Sequence, residues 1–200
     1  MKDGYTVLPA GKLANVVTDF EMLERPEIQP DRTTRHLTLQ RWERPEIGRY
    51  RELFVAIGAP WLWFSRLVLT DEALAAILND PDDEVYLARE GDRDVGFFEL
   101  DFRQRGECEL RFFGLIPDAI GSGAGRWLMN RAVEHAWSRP IRRFWLHTCT
   151  LDHPDALAFY ARSGFRPFRR QIEISDDPRL VGLLPRSAAP QVPLIEGGAS

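Results

Sequence analysis

The chain has 200 residues, 44% of them hydrophobic and 28% charged, with a formal net charge of -4. This length and balance suit one folded core and exclude a disordered polymer. The small negative charge excludes broad attraction to phosphate backbones, so no nucleic acid partner is expected. No apolar run has the length of a signal-peptide core or a membrane span, so a soluble protein with no membrane partner is expected. The two cysteines, Cys108 and Cys149, sit in apolar, strand-like stretches without a CxxC or a histidine at metal spacing. They read as reduced thiols of a cytoplasmic protein with no metal site.

Residues 1–35 read as an N-terminal extension. Ala14, Val16, Thr18, Phe20 and Met22 alternate with their neighbours as in a strand, while Val16, Val17, Phe20 and Leu23 also fit a helical face; both readings stand. That alternation also suggests an extension packing on a second copy, as a homodimer. Pro26, Pro30 and Asp31 mark a loop, and residues 36–42 read as a first core strand.

A helix is predicted from Pro45, with Tyr50, Leu53, Phe54 and Ile57 on one face and Gly58 as its stop. Trp61, Trp63 and Phe64 follow, and Thr70 caps a second helix carrying Leu74, Ile77 and Leu78. Strands at 84–90, 95–102 and 107–115, joined at Gly91-Asp92 and Arg105-Gly106, form an antiparallel meander. A glycine loop and helix come next, then a strand at 143–149, a helix at 154–162 and a strand at 168–174. The domain closes at 176. Residues 177–200, with Pro185, Pro190 and Pro193, read as a loose Pro/Ala/Gly-rich tail. Meander plus crossovers give a mixed α/β (α+β-like) fold with helices on both sheet faces.

The most informative stretch runs from Ile116-Pro117 into Gly121-Ser122-Gly123-Ala124-Gly125-Arg126, then a helix presenting Leu128, Met129, Ala132 and Val133. Alternate glycines keep side chains away so that backbone N–H groups converge, and a helix N-terminus adds about half a positive charge, which suits a phosphate. The loop lacks Gly-Lys-Ser/Thr, and it follows a meander rather than an early parallel strand, so neither a Walker nor a Rossmann loop is present.

Leu115-Ile116-Pro117, the Gly121 to Gly125 loop, and Ala156-Leu157-Ala158-Phe159-Tyr160-Ala161-Arg162-Ser163-Gly164-Phe165 occur in that order with a strand between. Together they resemble the GNAT superfamily of N-acetyltransferases, over residues 37–174. The resemblance implies a GNAT-like sheet, mostly antiparallel and splayed between two parallel strands, with flanking helices. It implies an acyl-CoA-dependent N-acyltransferase that moves acetyl from acetyl-CoA, or another acyl-CoA, to a primary amine of a small molecule in a ternary complex. It also implies that Gly121, Ser122, Gly123, Ala124, Gly125 and Arg126 hold the pyrophosphate, and that the main chain of Phe113, Gly114 and Leu115 pairs with pantetheine. The family's basic or amide loop positions fall at Ile120 and Ser122 here, which removes a cation that Arg126 partly restores.

By the same resemblance Tyr160 is the acid for the departing thiolate; otherwise it is a core tyrosine. Glu109, on the side-chain parity of Phe113 and Leu115, is either the general base or a paired carboxylate. His147 relays a proton or is a hydrogen-bonded core residue. His153 orients cofactor or caps the helix after Pro154. Trp61, Trp63 and Phe64 wall the acceptor site or fill the core. The competing functions are a non-catalytic acyl-CoA-binding module, motivated by Ile120 and Ser122, and a phosphate- or nucleotide-binding protein, which leaves the Tyr160 motif without a role.

Overall fold

A computed structural model of the chain describes residues 3–196. Seven strands form one sheet in the order β2-β3-β4-β5-β6-β1-β7. They are β1 (Lys12–Met22), β2 (Thr38–Arg41), β3 (Asp83–Glu90), β4 (Arg93–Asp101), β5 (Glu107–Leu115), β6 (Arg143–Cys149) and β7 (Arg166–Asp176). All neighbours are antiparallel except β5 and β6.

The helices α1 (Ile47–Gly58), α2 (Asp71–Leu78), α3 (Ala124–Ala136) and α4 (Ala156–Arg162) cover the two faces. Alternation along each strand divides the core between them. Phe97, with Phe112, meets Phe54 of α1, whereas Tyr86 and Phe98 meet His135 of α3. Thr70 caps α2 as expected, and Glu46, not singled out from the sequence, caps α1. Thr70 Oγ1 accepts from Ala73 N at 3.2 Å, and the Glu46 carboxylate accepts from Gly48 and Arg49 N–H. Gly58 does not end the chain's helical run, which tightens into a 3-10 turn at Ala59–Trp61 and stops at Leu62, with φ 57°.

Between the two readings of the N-terminal segment, the strand prevails. Val16, Val17 and Thr18 are β-branched, and a ladder is available on both sides: β6 over Val17 to Met22 and β7 over Lys12 to Glu21. β1 is therefore interior to the sheet, and Leu23, exposed just after it, belongs to no helical face.

The Pro-rich segment after Asp176 is folded rather than loose through residue 196; 197–200 lie outside the described residues. Proline cannot donate to a ladder, so a side chain organises the backbone instead. Arg179, buried and paired with Asp177, donates to the carbonyls of Ala188, Ala189 and Val192. Gln191 Nε2 bonds Pro60 O at 2.7 Å, and Leu184 and Ala189 pack on Leu62.

Candidate active site

β5 and β6 are paired only over Glu107 to Glu109 and Arg143 to Trp145. Beyond that fork they splay, leaving one backbone edge of β5 from Leu110 to Leu115 without a strand partner. A cavity of about 540 Å³ occupies the gap and is lined from both sheet faces. On the α1 side it is lined by Trp61, Trp63, Phe64, His147 and Cys149; on the α3 and α4 side by Gly121, Gly123, Arg126, Phe159 and Tyr160. Phe113, Gly114, Leu115, Gly125 and His153 line it as well. Three of the expected residues do not: Ser122 donates its hydroxyl to Ala119 O, Ala124 is buried, and Glu109 borders a separate hollow of about 300 Å³ beside Trp145.

The glycine loop adopts backbone angles that only glycine takes readily. Gly121 and Gly123 both have φ +81°, and Gly123 caps α3 with no side-chain hydrogen bond. A Cβ at Gly123 would come to 3.0 Å from the Arg32 backbone. Among the described residues, the first backbone donor bonded past Ile120 is Trp127, to Gly123 O, so the N–H groups of Gly121 to Arg126 have no backbone acceptor. Arg126 donates to Ser163 Oγ at 3.0 Å and lies over Phe159. Burial, and the charges of Arg162 and Arg32, hold its pKa below the ordinary arginine value. Arg126, the basic residue the sequence pointed to, thus has two further basic residues, Arg162 and Arg32, in its neighbourhood. Arg162 lies two residues after Tyr160 and could have been read from that motif; Arg32 has no local signal.

The parity expected for Glu109 is reversed. The register between β4 and β5 shifts between Glu99 and Leu100, so Arg111 is an extra residue on β5. Glu109 therefore shares the α1 face with Phe112 and Gly114, while Phe113 and Leu115 face α4. There it is a buried, paired carboxylate: it accepts from Arg111 Nη1 at 2.8 Å and lies 3.2 Å from His147 Nδ1. The Glu109 carboxylate, accepting from His147, raises the His147 pKa above its ordinary value, against an opposing desolvation effect. His147, not Glu109, reaches the cavity.

Tyr160 is held by the rings of Phe20, Phe113, Phe159 and Phe165. Burial raises the pKa of its phenol further, so the group stays a proton donor. Trp63 Nε1 donates to Asp152 Oδ1 at 3.1 Å, tying the aromatic wall to the β6–α4 loop. Asp152 also accepts from Thr148 Oγ1 and Cys149 N. Trp61 packs edge-on against His153 at 5.1 Å between centroids. Below the wall, Arg66 forms a buried ion pair with Glu99, which accepts from Tyr50 Oη at 2.5 Å. Burial and, second, the charge of Asp152 push the Cys149 thiol up to about 12, so it is neutral at physiological pH.

A splayed parallel pair, a glycine loop at a helix start and a tyrosine facing both define an acetyltransferase scaffold. The family model described as the acetyltransferase (GNAT) family matches residues 38–165, and the chain belongs to that family. No curated protein sequence matches it. Among solved structures, a conserved protein of unknown function from Staphylococcus epidermidis ATCC 12228 is similar at 17% identity and TM-score 0.56, over 84% of this chain and 63% of that one. A GCN5-related N-acetyltransferase from Sphaerobacter thermophilus is similar at 15% identity and TM-score 0.61, over 82% and 52%. An aminoglycoside acetyltransferase from an uncultured soil metagenomic sample is similar at 15% identity and TM-score 0.52, over 64% and 86%. The likeness is one of fold, and the chain spans less than two thirds of the first two structures. No helix among the described residues is long and apolar enough to cross a membrane, and no cluster of metal-ligating side chains is present among them.

Proposed function

We propose that the protein is an acyl-CoA-dependent N-acyltransferase that acetylates a primary amine of a small molecule by direct attack on the thioester. The observation carrying this reading is the free β5 edge at the splay, flanked by the unpaired N–H groups of Gly121 to Arg126. These groups suit acetyl-CoA: the loop and the cations of Arg126, Arg162 and Arg32 would hold its phosphates, and residues 113–115 its pantetheine amides. Bound acetyl-CoA supplies the activated acetyl group.

His147 takes the proton from the attacking ammonium, directly or through water, and Glu109 holds the imidazole by Nδ1 so that Nε2 faces the cavity. Tyr160 gives its phenolic proton to the departing sulfur. A neutral Cys149 supports direct transfer over an acyl-cysteine route. Trp61, Trp63 and Phe64 give the acceptor an apolar, aromatic wall, which favours a small amine with a bulky apolar part. Cytoplasmic location is part of the same reading.

Binding without turnover is the second reading, favoured by the uncharged Ile120 and Ser122 in the loop. Two measurements decide. Saturating acetyl-CoA is expected to raise the melting temperature of the wild type and leave Gly123→Glu unmoved. Amine-dependent release of CoA is expected from the wild type and to fall about 10²-fold in kcat for Tyr160→Phe. Absence of a thermal shift sinks the acyl-CoA reading; a shift with no CoA release from any amine of a broad panel establishes the binding module.

A further inference from the structure

The two edges of the sheet are built differently. β2 is four residues long and ends beside Arg44, whose φ is 51°. Short, interrupted edges resist pairing with another chain. β7 is eleven residues long and exposed along most of its length, and its outer backbone edge has no partner among the described residues. Its two devices against pairing, Pro167 and the register shift opposite Asp19 and Phe20, both lie at its start. From Arg169 to Asp176 the edge is regular.

The side chains of this stretch divide by face. Arg169 and Gln171 both bond Asp19, and Glu173 bonds Asn15 Nδ2 at 2.9 Å, so the α1-side face is tied inward. On the other face Ile172 and Ile174 are 52% and 58% exposed, and Val16, paired with Ile172 across the ladder, is also exposed. Charge runs along the strand in one direction. Arg166, Arg169 and Arg170 occupy its first half, Glu173 and Asp176 its second. A parallel neighbour of the same sequence would stack like charges, whereas an antiparallel one sets the basic half against the acidic half.

We propose that β7 pairs antiparallel with β7 of a second copy about a two-fold axis near Ile172, joining the two sheets into one. In that register Ile172 meets its own copy, Gln171 faces the second copy's Glu173, and Arg170 lies diagonal to the second copy's Asp176. The exposed apolar strips become neighbours. Because Glu173 also lines the large cavity, the second copy's strand borders the mouth of the candidate active site. The N-terminal strand, occupied on both edges within its own sheet, is not the interface.

The test is sedimentation of the full chain from about 1 to 100 µM. The wild type is expected to run at twice the 23.0 kDa chain mass at the higher concentrations. Joint Ile172→Lys and Ile174→Lys substitution is expected to yield a monomer with an unchanged melting profile at low concentration. Arg170→Asp and Asp176→Arg, each weakening the dimer alone, are expected to restore it when combined. As a readout on the unaltered protein, β7 amides are expected to exchange faster with deuterium on dilution. A wild type that stays monomeric at 100 µM, a dimer that survives the double lysine variant, or β7 exchange independent of concentration overturns the proposal.

Discussion

His147 Nδ1 lies 3.2 Å from Glu109 Oε1, and the two meet because β5 and β6 run parallel and separate just past Glu109. The buried carboxylate, also bonded to Arg111, points the imidazole into the gap that the fork creates. On the reading proposed above, Glu109 positions and tunes His147 rather than acting as the base itself.

This pairing fixes the sign of a pH effect. A raised His147 pKa keeps the imidazole charged to higher pH, so the rising limb of kcat/KM is expected at a pH above its ordinary 6.5. Glu109→Gln removes the charge that holds the proton and is expected to move that limb to lower pH. His147→Gln is expected to remove the limb and lower kcat about 10²-fold. A midpoint that stays put in Glu109→Gln would assign the limb to another group.

The arginine cluster at the glycine loop predicts a binding defect from outside the recognised motif. Arg32→Ala and Arg162→Ala are each expected to weaken acetyl-CoA binding about tenfold, the size of one charge-assisted contact. Kd from calorimetry at two salt concentrations checks this, and both variants should show a shallower salt dependence than the wild type.

Asp83 is buried beside Glu99, and neither of its carboxylate oxygens has a hydrogen-bond partner. Burial, then the Glu99 charge, pushes its pKa up to about 8. The folded state therefore holds this proton more tightly than the unfolded chain. Its contribution is fully present below pH 3.8 and is lost as pH rises towards 8. Asp83→Asn is expected to match the wild type near pH 4 and to melt several degrees higher at pH 9. Thermal melts at both pH values test it.

Arg179 predicts a link between the C-terminal segment and the acceptor wall. Arg179→Leu strands the buried Asp177 and releases three carbonyls, at an expected cost of about 3 kcal/mol. Because Leu184 and Ala189 pack on Leu62, which lines the cavity, the KM for the amine should rise more than that for acetyl-CoA. Thermal unfolding with steady-state kinetics on both substrates checks the two halves of the prediction.

The sequence by itself determined what depends on neighbours along the chain. Helix faces such as Tyr50, Leu53, Phe54 and Ile57, the Thr70 cap, the meander and the Gly121 to Gly125 loop follow from local periodicity and backbone freedom, and all were legible. So was the Tyr160 motif, whose residues run along one short helix and the turn that ends it. Tertiary structure decided everything that a crossing of strands controls. A single extra residue at Arg111 turned Glu109 to the other face, which no count of alternation from Glu109 to Leu115 could reveal. The place of β1 between β6 and β7 rests on ladders to strands more than a hundred residues away. The Arg32 backbone abuts Gly123, and Arg179 gathers a proline-rich segment because its long side chain satisfies carbonyls that regular structure leaves unpaired. Such contacts carry no periodic signal, since they are set by where the packed sheet brings distant loops together.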